Sequence, residues 1–200
     1  EPWTHPLEGP HSITQDMIIF FEQFIPDGSI VLDIGAHTGQ MSLIFGACTG
    51  RDGIVNCFEP NPYVFVPLQT NFLLNQNLTT MILHPEAAMP NTGIYTFKYI
   101  DNQYCNGGYR GADLGIVDCL GYELSVRGIC FLEYLQKLAS PPRFIKIDTE
   151  GYDYEILKSA ESYIKQFRPT IMTELYPHMS IPRKHQLINF LSSFNYNNMI

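Results

Sequence analysis

The sequence predicts an α/β fold, a Rossmann-like, doubly wound sheet that is mostly parallel. Short apolar runs alternate with longer segments of helical periodicity along most of the chain, which is the pattern of βαβ units. One of these runs, residues 29–34, has an acid near its end and a glycine after it, as expected of a buried parallel strand. The 200 residues, 45% of them hydrophobic, suit one core better than two. We therefore predict a single domain over residues 1–200, with an N-terminal helical segment over 1–28 and a Rossmann-like core over 29–200.

The individual elements follow from local signals in chain order. The first predicted helix stops at the turn sequence Pro26-Asp27-Gly28, and Pro62 suits the first turn of the helix that follows the second strand. The predicted strands are residues 29–34, 53–58, 79–83, 143–147 and 170–173. The predicted helices are residues 13–25, 38–48, 63–75, 154–167 and 183–194.

The stretch around residues 95–129 interrupts this alternation with a cluster of glycines and tyrosines. One interpretation is a hairpin with a surface loop. The other is a lid over a binding site, because long loops in compact domains often carry function. In the second interpretation Tyr104, Tyr109 and Arg110 contact the substrate. The sequence leaves both interpretations open.

Charge and composition argue against several classes of function. The net charge is −8, with 12 basic and 20 acidic residues, which disfavours nucleic-acid binding and a basic membrane anchor. No apolar run approaches the roughly 18 residues of a transmembrane helix, and no secretory leader is visible. The five cysteines are scattered without a CxxC pair, so we expect reduced thiols in a cytoplasmic, intracellular protein rather than disulfides or a zinc site. Because the first residue is Glu1, we also expect a domain taken from a longer protein.

The first candidate site is the turn after the strand at 29–34. Gly35 and Gly39 are spaced Gly-x-x-x-Gly, unlike the Gly-x-Gly-x-x-Gly of dinucleotide folds, and they would let a ligand approach the backbone closely. We expect the turn to offer free backbone N–H groups at the start of a helix. Asp33, two residues before Gly35, would repel a pyrophosphate and attract an ammonium group. The turn therefore predicts a ligand with a cationic amino-acid head group.

A second carboxylate, Glu59, ends the next strand along the chain. A carboxylate in this position can accept two hydrogen bonds from a ribose diol. Asp33 and Glu59 have an alternative role as caps of the helices that follow them. Their occurrence at successive strand ends on one edge of the sheet favours a nucleoside ligand over that alternative.

A third group of carboxylates lies near the ends of the last two predicted strands. Asp148 follows the strand over 143–147, Glu150 lies on the same turn, and Glu174 follows the strand over 170–173. Open α/β sheets bind ligands at the carboxyl ends of their strands. These three residues are therefore candidate catalytic groups. They could act as a general base, or Asp148 and Glu174 could bind a hard divalent cation such as Mg²⁺.

Three segments of the chain together resemble the FkbM-type methyltransferases. They are Leu32-Asp33-Ile34-Gly35-Ala36-His37-Thr38-Gly39, Phe58-Glu59-Pro60-Asn61-Pro62 and Ile145-Lys146-Ile147-Asp148-Thr149-Glu150-Gly151. Their order and spacing match the family, and the third segment is the most specific. The resemblance implies a class I methyltransferase fold, S-adenosyl-L-methionine as cofactor, and methyl transfer to oxygen, often of a sugar or polyketide. Such folds usually end in an antiparallel hairpin, whereas only residues 195–200 follow the last predicted helix.

The resemblance also implies roles for individual residues. Asp33, Gly35 and Gly39 would hold the methionine part of the cofactor, Glu59 the ribose, and Glu86 with Ala87 would adjoin the adenine; Ala36, His37 and Pro60 complete the candidate cofactor site. His178 is a further candidate for the acceptor site. We expect O-methylation of a sugar or glycan hydroxyl, in a chain fused to other domains such as a glycosyltransferase. The alternatives are a polyketide or other small-molecule acceptor, a nicotinamide-dependent oxidoreductase, and a nucleoside-binding domain without catalytic activity.

Overall fold

The computed structural model describes residues 3–5, 9–11, 13–99, 122–176 and 179–196. The strands in these ranges are β1 (Trp3–His5), β2 (Gly9–His11), β3 (Ile30–Ile34), β4 (Ile54–Phe58), β5 (Thr80–His84), β6 (Ala87–Met89), β7 (Gly93–Tyr99), β8 (Tyr122–Cys130), β9 (Phe144–Ile147) and β10 (Thr170–Thr173). The helices are α1 (Gln15–Glu22), α2 (Gln40–Thr49), α3 (Pro62–Leu74), α4 (Phe131–Lys137), α5 (Asp153–Ser159), α6 (Glu161–Phe167) and α7 (Ile181–Ser192).

Five parallel strands form the central sheet in the order β10-β9-β3-β4-β5. The chain runs outward from β3 through β4 to β5, and then returns to build β9 and β10 on the other side of β3. The strand order therefore reverses between β3 and β9. The carboxyl ends of strands at such a reversal flank the crevice where open α/β sheets bind ligands. This sheet confirms the predicted Rossmann-like fold class.

Hydrophobic cores lie on both faces of the sheet, because alternate residues of a strand point to opposite faces. Leu32 and Ile34 of β3 pack in one core with residues of α4, α5, α6 and α7. Val31 packs in the other core with residues of α1, α2 and α3. Every residue of β3 is buried, which explains its apolar sequence and makes the acidic Asp33 exceptional within it.

A second, smaller sheet forms at the borders of the predicted insertion. Strands β7 and β8 pair antiparallel, and β6 joins β8 in parallel. The two strands of a hairpin are thus present around residues 95–129. The residues between them, 100–121, lie outside the described ranges, so the lid interpretation stays a prediction. The sequence predicted neither β6 nor α4.

The helices differ from their predicted bounds by up to three residues at their ends, and two of the differences have a visible local cause. The helix predicted over 154–167 is divided into α5 and α6, and the Ser159 hydroxyl beside the break donates to the Ile156 carbonyl at 2.7 Å, a bond that often bends helices. The helix predicted from residue 38 begins at Gln40, because Gly39 has a left-handed φ of 87°. Residues 1–28 also contain the β1–β2 pair in addition to the predicted helix. Within the described part of the chain, no helix combines the length and the apolar character needed to span a bilayer.

Candidate functional site

One cavity at the carboxyl edge of the central sheet brings together residues from all three candidate sites. Gly35, Glu59, Pro60 and Asp148 line it. The rest of its lining is Ile34, Phe58, Ala87, Ala88, Met89, Phe97, Thr149, Tyr152 and Ile156. The three groups of residues, which are far apart in the sequence, therefore converge where the strand order reverses.

Gly35 makes the turn after β3 possible. Its φ is 76°, and a Cβ atom at this position would lie 1.9 Å from the backbone oxygen of Asp148. A backbone oxygen cannot rotate away as a flexible side chain can. Only glycine therefore fits, and the turn after β3 lies directly against the turn after β9.

The first N–H groups of this turn are hydrogen-bonded within the protein, so the expectation that they are free was wrong. The N–H groups of Gly35 and Ala36 both donate to the carbonyl oxygen of Phe58, at 3.0 and 2.9 Å. The N–H of His37 donates to Oε2 of Glu59 at 3.0 Å. The end of β4 lies beside the turn and satisfies these donors. The turn thus offers a ligand close approach to its backbone rather than a set of unpaired donors at these three residues.

Two backbone donors orient the buried carboxylate of Glu59. Besides the bond from His37, the N–H of Asn61 donates to Oε1 at 2.8 Å. Each carboxylate oxygen has a second lone pair, so Glu59 can still accept hydrogen bonds from a diol in the cavity. Burial raises the pKa of Glu59 to about 7, although the two backbone N–H groups partly oppose that rise. Glu59 therefore gains or loses its charge near neutral pH.

The contacts of Asp33 and Glu59 differ from those of helix caps. Gly39 occupies the N-cap position of α2, without a side-chain cap bond. Asn61 is the N-cap of α3, and its Oδ1 accepts a hydrogen bond from the N–H of Tyr63 at 3.0 Å. The alternative in which Asp33 and Glu59 cap the helices that follow them is therefore wrong.

A buried ion pair lies beneath the turn. Asp33 is 0% exposed; its Oδ2 accepts a hydrogen bond from the Ser42 hydroxyl at 2.5 Å, and its Oδ1 lies 3.3 Å from Nζ of Lys146. Lys146 also donates to the Gly35 carbonyl at 2.7 Å and lies 3.4 Å from Oδ2 of Asp148. Burial alone would lower the pKa of Lys146, but the neighbouring charges of Asp33 and Asp148 outweigh it and raise that pKa. The ammonium of Lys146 thus compensates the charge of Asp33, which weakens the predicted attraction for a ligand ammonium; contact of Asp33 with a cofactor stays a prediction.

Asp148, which lines the cavity, interacts with a second carboxyl group, that of Glu174, which is not part of the described lining. The side chain of Asp148 is 43% exposed, and it forms a hydrogen bond with the side chain of Glu174. Burial and the charge of Asp148 raise the pKa of Glu174. The raised pKa of Glu174 favours its protonated form, which can donate a hydrogen bond to Asp148. Buried Asp153, which the sequence analysis did not single out, stabilises the adjoining turn by accepting a hydrogen bond from the N–H of Thr149 at 3.2 Å.

A match between the sequence and a family model establishes the family. The family model of the methyltransferase FkbM domain matches residues 33–197. This chain belongs to the FkbM methyltransferase family. The predicted resemblance is confirmed, and the family implies S-adenosyl-L-methionine as cofactor. No curated protein matches the sequence.

Solved structures share the fold of this FkbM domain. An FkbM methyltransferase from Methylobacillus flagellatus KT has 19% identity and a TM-score of 0.54, over 82% of this chain and 37% of that protein. A precorrin-6y C5,15-methyltransferase from Geobacter metallireducens GS-15 has 14% identity and a TM-score of 0.51, over 98% and 78% of the two chains. A SAM-dependent O-methyltransferase from Thermotoga maritima has 8% identity and a TM-score of 0.51, over 94% and 52%. The FkbM domain described here therefore spans little more than a third of the Methylobacillus protein.

The remaining predicted site residues of the FkbM domain fall into two groups. Ala87 lines the cavity and Glu86 precedes it, whereas Glu150 is not part of the described lining and has a left-handed φ of 55°. Tyr104, Tyr109, Arg110 and His178 lie outside the described residues, so their roles stay predictions. In the described ranges, no three His, Cys, Asp or Glu side chains are grouped as a metal site. The described structure thus offers no metal cluster in support of the Mg²⁺ alternative at Asp148 and Glu174.

Proposed function

We propose that this domain transfers a methyl group from S-adenosyl-L-methionine to a hydroxyl oxygen of a sugar or glycan. One observation carries the proposal: Glu59, Gly35 and Asp148 line the same cavity at the reversal of strand order. A carboxylate suited to a ribose and a carboxylate suited to proton removal thus face one space. Membership of the FkbM family supports the donor.

The cavity lining suits S-adenosylmethionine. The lone pairs of Glu59 can accept hydrogen bonds from the ribose hydroxyls, and the apolar surfaces of Phe58, Pro60 and Ala87 suit the adenine ring. Gly35 presents no Cβ, which allows close approach of the cofactor to the backbone. When bound, the cofactor supplies a methyl group on a sulfonium, which is electrophilic without further activation.

Asp148 is the group to which we assign proton removal. Its carboxylate lines the cavity, and its Oδ2 lies 3.4 Å from Nζ of Lys146. An acceptor hydroxyl hydrogen-bonded to Asp148 gives up its proton to that carboxylate as the oxygen is methylated. Glu174 is assigned an orienting role, because its raised pKa favours the protonated form that can donate a hydrogen bond to Asp148.

A sugar acceptor is supported by the family resemblance and by the chemistry of the lining. Carboxylates such as Asp148 accept hydrogen bonds from hydroxyls, and the aromatic side chains of Phe97 and Tyr152 provide surface for the apolar side of a sugar ring. The net charge of −8 disfavours an RNA acceptor. Fusion of this domain to a glycosyltransferase in a longer chain belongs to the same proposal.

Calorimetric titration followed by an acceptor screen tests this function. We expect S-adenosylhomocysteine to bind and NAD not to bind, because the turn lacks the dinucleotide glycine pattern. With a donor labelled in its methyl group, we expect transfer to free or glycan-linked sugars. Binding of NAD without binding of S-adenosylhomocysteine would overturn the proposed function in favour of the oxidoreductase alternative. Binding of S-adenosylhomocysteine with transfer only to a polyketide, a peptide or RNA would overturn the sugar acceptor, and binding without any transfer would favour the non-catalytic alternative.

The pH dependence of cofactor binding gives a test of Glu59. Because the ribose hydroxyls donate to the ionised carboxylate, and burial raises the pKa of Glu59 to about 7, affinity for S-adenosylhomocysteine is expected to rise between pH 5 and 8 and then to level off. Glu59→Gln should lose this dependence and bind about 10- to 100-fold more weakly at pH 8. Glu22→Gln, at an exposed site on α1, is the matched control and should behave as the wild type. Equal pH profiles for wild type and Glu59→Gln would contradict the role of Glu59.

A further inference from the structure

Lys146 contacts both the turn after β3 and the turn after β9, which together form the candidate site. It is the third residue of β9, and the parallel register sets it beside Asp33 of β3. Its three nearest partners are the carboxylate of Asp33, the carbonyl of Gly35 and the carboxylate of Asp148. Two of these partners, Gly35 and Asp148, line the cavity, whereas Lys146 is not part of the described lining.

The ammonium of Lys146 has three oxygen partners. It donates a hydrogen bond to the Gly35 carbonyl at 2.7 Å and forms ion pairs with the carboxylates of Asp33 and Asp148, at 3.3 and 3.4 Å. Lys146 is only 6% exposed, and a buried charge is stable only when it is paired. This arrangement defines the position of each partner relative to the other two.

Other charged and titratable groups lie in the same region of the sheet. Those that interact electrostatically with Lys146, Asp148 or Glu174 are Asp33, Cys57, Glu59, Asp153 and Lys184. Most of them are acidic. A cation at position 146 therefore also offsets repulsion among carboxylates at the edge of the sheet where ligands bind.

We propose that Lys146 is a positioning residue, which holds the Gly35 turn and the Asp148 carboxylate in a defined relation and so sets the geometry between the methyl donor and the base. The inference rests on the proposed function, because it needs the cavity to bind S-adenosylmethionine. It goes beyond that function by assigning cofactor affinity to a residue outside the described cavity lining.

Removal of the ammonium gives the first test. Lys146→Met keeps the length of the side chain and should weaken S-adenosylhomocysteine binding by about tenfold or more, measured by calorimetry. Lys158→Met is the matched control, since it makes the same change in charge and length at an exposed lysine of α5. It should bind as the wild type does. Equal affinities of the two variants would overturn the proposal.

A double variant distinguishes a positioning role of Lys146 from simple charge compensation. It also provides a second test if Lys146→Met alone fails to fold. Asp33→Asn combined with Lys146→Met removes both members of the buried ion pair. If Lys146 only neutralises Asp33, the double variant should bind S-adenosylhomocysteine as Asp33→Asn alone does, and the proposal falls. If Lys146 positions Gly35 and Asp148, the double variant should bind about tenfold more weakly than Asp33→Asn.

The wild-type protein supplies a spectroscopic measurement that needs no substitution. In ¹⁵N-lysine-labelled protein, the buried ammonium of Lys146 should give a slowly exchanging signal that shifts when S-adenosylhomocysteine is added. The exposed ammonium of Lys158 should give no such shift. A bound cofactor with an unshifted Lys146 signal would overturn this inference alone, whereas a wild type that binds no S-adenosylhomocysteine would overturn the proposed function.

Discussion

Replacing Gly35 with alanine is expected to abolish measurable cofactor binding and to destabilise the domain by about 4 kcal/mol or more. The new Cβ would lie 1.9 Å from the backbone oxygen of Asp148, and the positive φ of 76° disfavours any side chain. The turn would have to move away from β9. That movement would break two hydrogen bonds. One runs from the Gly35 N–H to the Phe58 carbonyl, and the other runs from the Lys146 ammonium to the Gly35 carbonyl. Chemical denaturation and calorimetry with S-adenosylhomocysteine measure the two effects.

Gly28→Ala is the matched control for this prediction. Gly28 has nearly the same φ, 73°, but an added Cβ would have no atom within 4 Å. Gly28→Ala should therefore lower the free energy of unfolding only by the strain of the left-handed conformation, on the order of 1 kcal/mol. It should bind S-adenosylhomocysteine as the wild type does. A loss of stability in Gly35→Ala no larger than in Gly28→Ala would mean that the close approach of the two turns does not constrain the site.

Strands with a continuous apolar pattern, and the carboxylates that follow them, could be predicted from the sequence. The strand over residues 170–173 is present with these bounds, and the strands β3, β4 and β9 differ from prediction by one residue at most. The apolar runs of β3, β4 and β9 are buried on both faces, so the pattern is continuous and easily recognised. The carboxylates Glu59 and Asp148 follow strand ends directly, and the geometry of a parallel sheet then places them at one edge.

The features that depend on register or on weak local signals could not be predicted. Helix α4 starts at Phe131 without a side-chain cap at Cys130, so no start signal marks it, and β6 has only three residues. The bonds from the turn to the Phe58 carbonyl join segments more than twenty residues apart. Free N–H groups were therefore a reasonable expectation from the turn alone.

Lys146 is part of a quoted motif, but the sequence alone assigned it no role. Its signal was present, because a lysine inside the otherwise apolar strand Phe144–Ile147 must find a partner for its charge. The partner is Asp33, the one acid in the equally apolar β3. The pairing follows only when β3 and β9 are adjacent and in the observed register, which a single sequence does not reveal.

The largest effect on catalysis is expected from Asp148→Asn, measured with the acceptor that the labelled-donor screen identifies. Asparagine keeps the shape of the side chain but cannot take up the acceptor proton, so turnover should fall by about 10²- to 10⁴-fold. Affinity for S-adenosylhomocysteine should stay within a few fold, because the proposed cofactor contacts come from Glu59 and the Gly35 turn. A fall in turnover without a matching rise in the cofactor KM is the signature of a group that acts in the chemical step.

Glu174→Gln decides which member of the carboxyl pair is the base. If Glu174 only orients Asp148, glutamine can replace it as a hydrogen-bond donor, and turnover should fall by no more than about tenfold. Asp16→Asn, an exposed substitution in the first turn of α1, should leave turnover unchanged. If instead Glu174→Gln were the more damaging substitution of the pair, proton removal would belong to Glu174, and Asp148 would have the orienting role. Equal losses at both positions would show that the two carboxyl groups act as one unit through their shared proton, as coupled acids do.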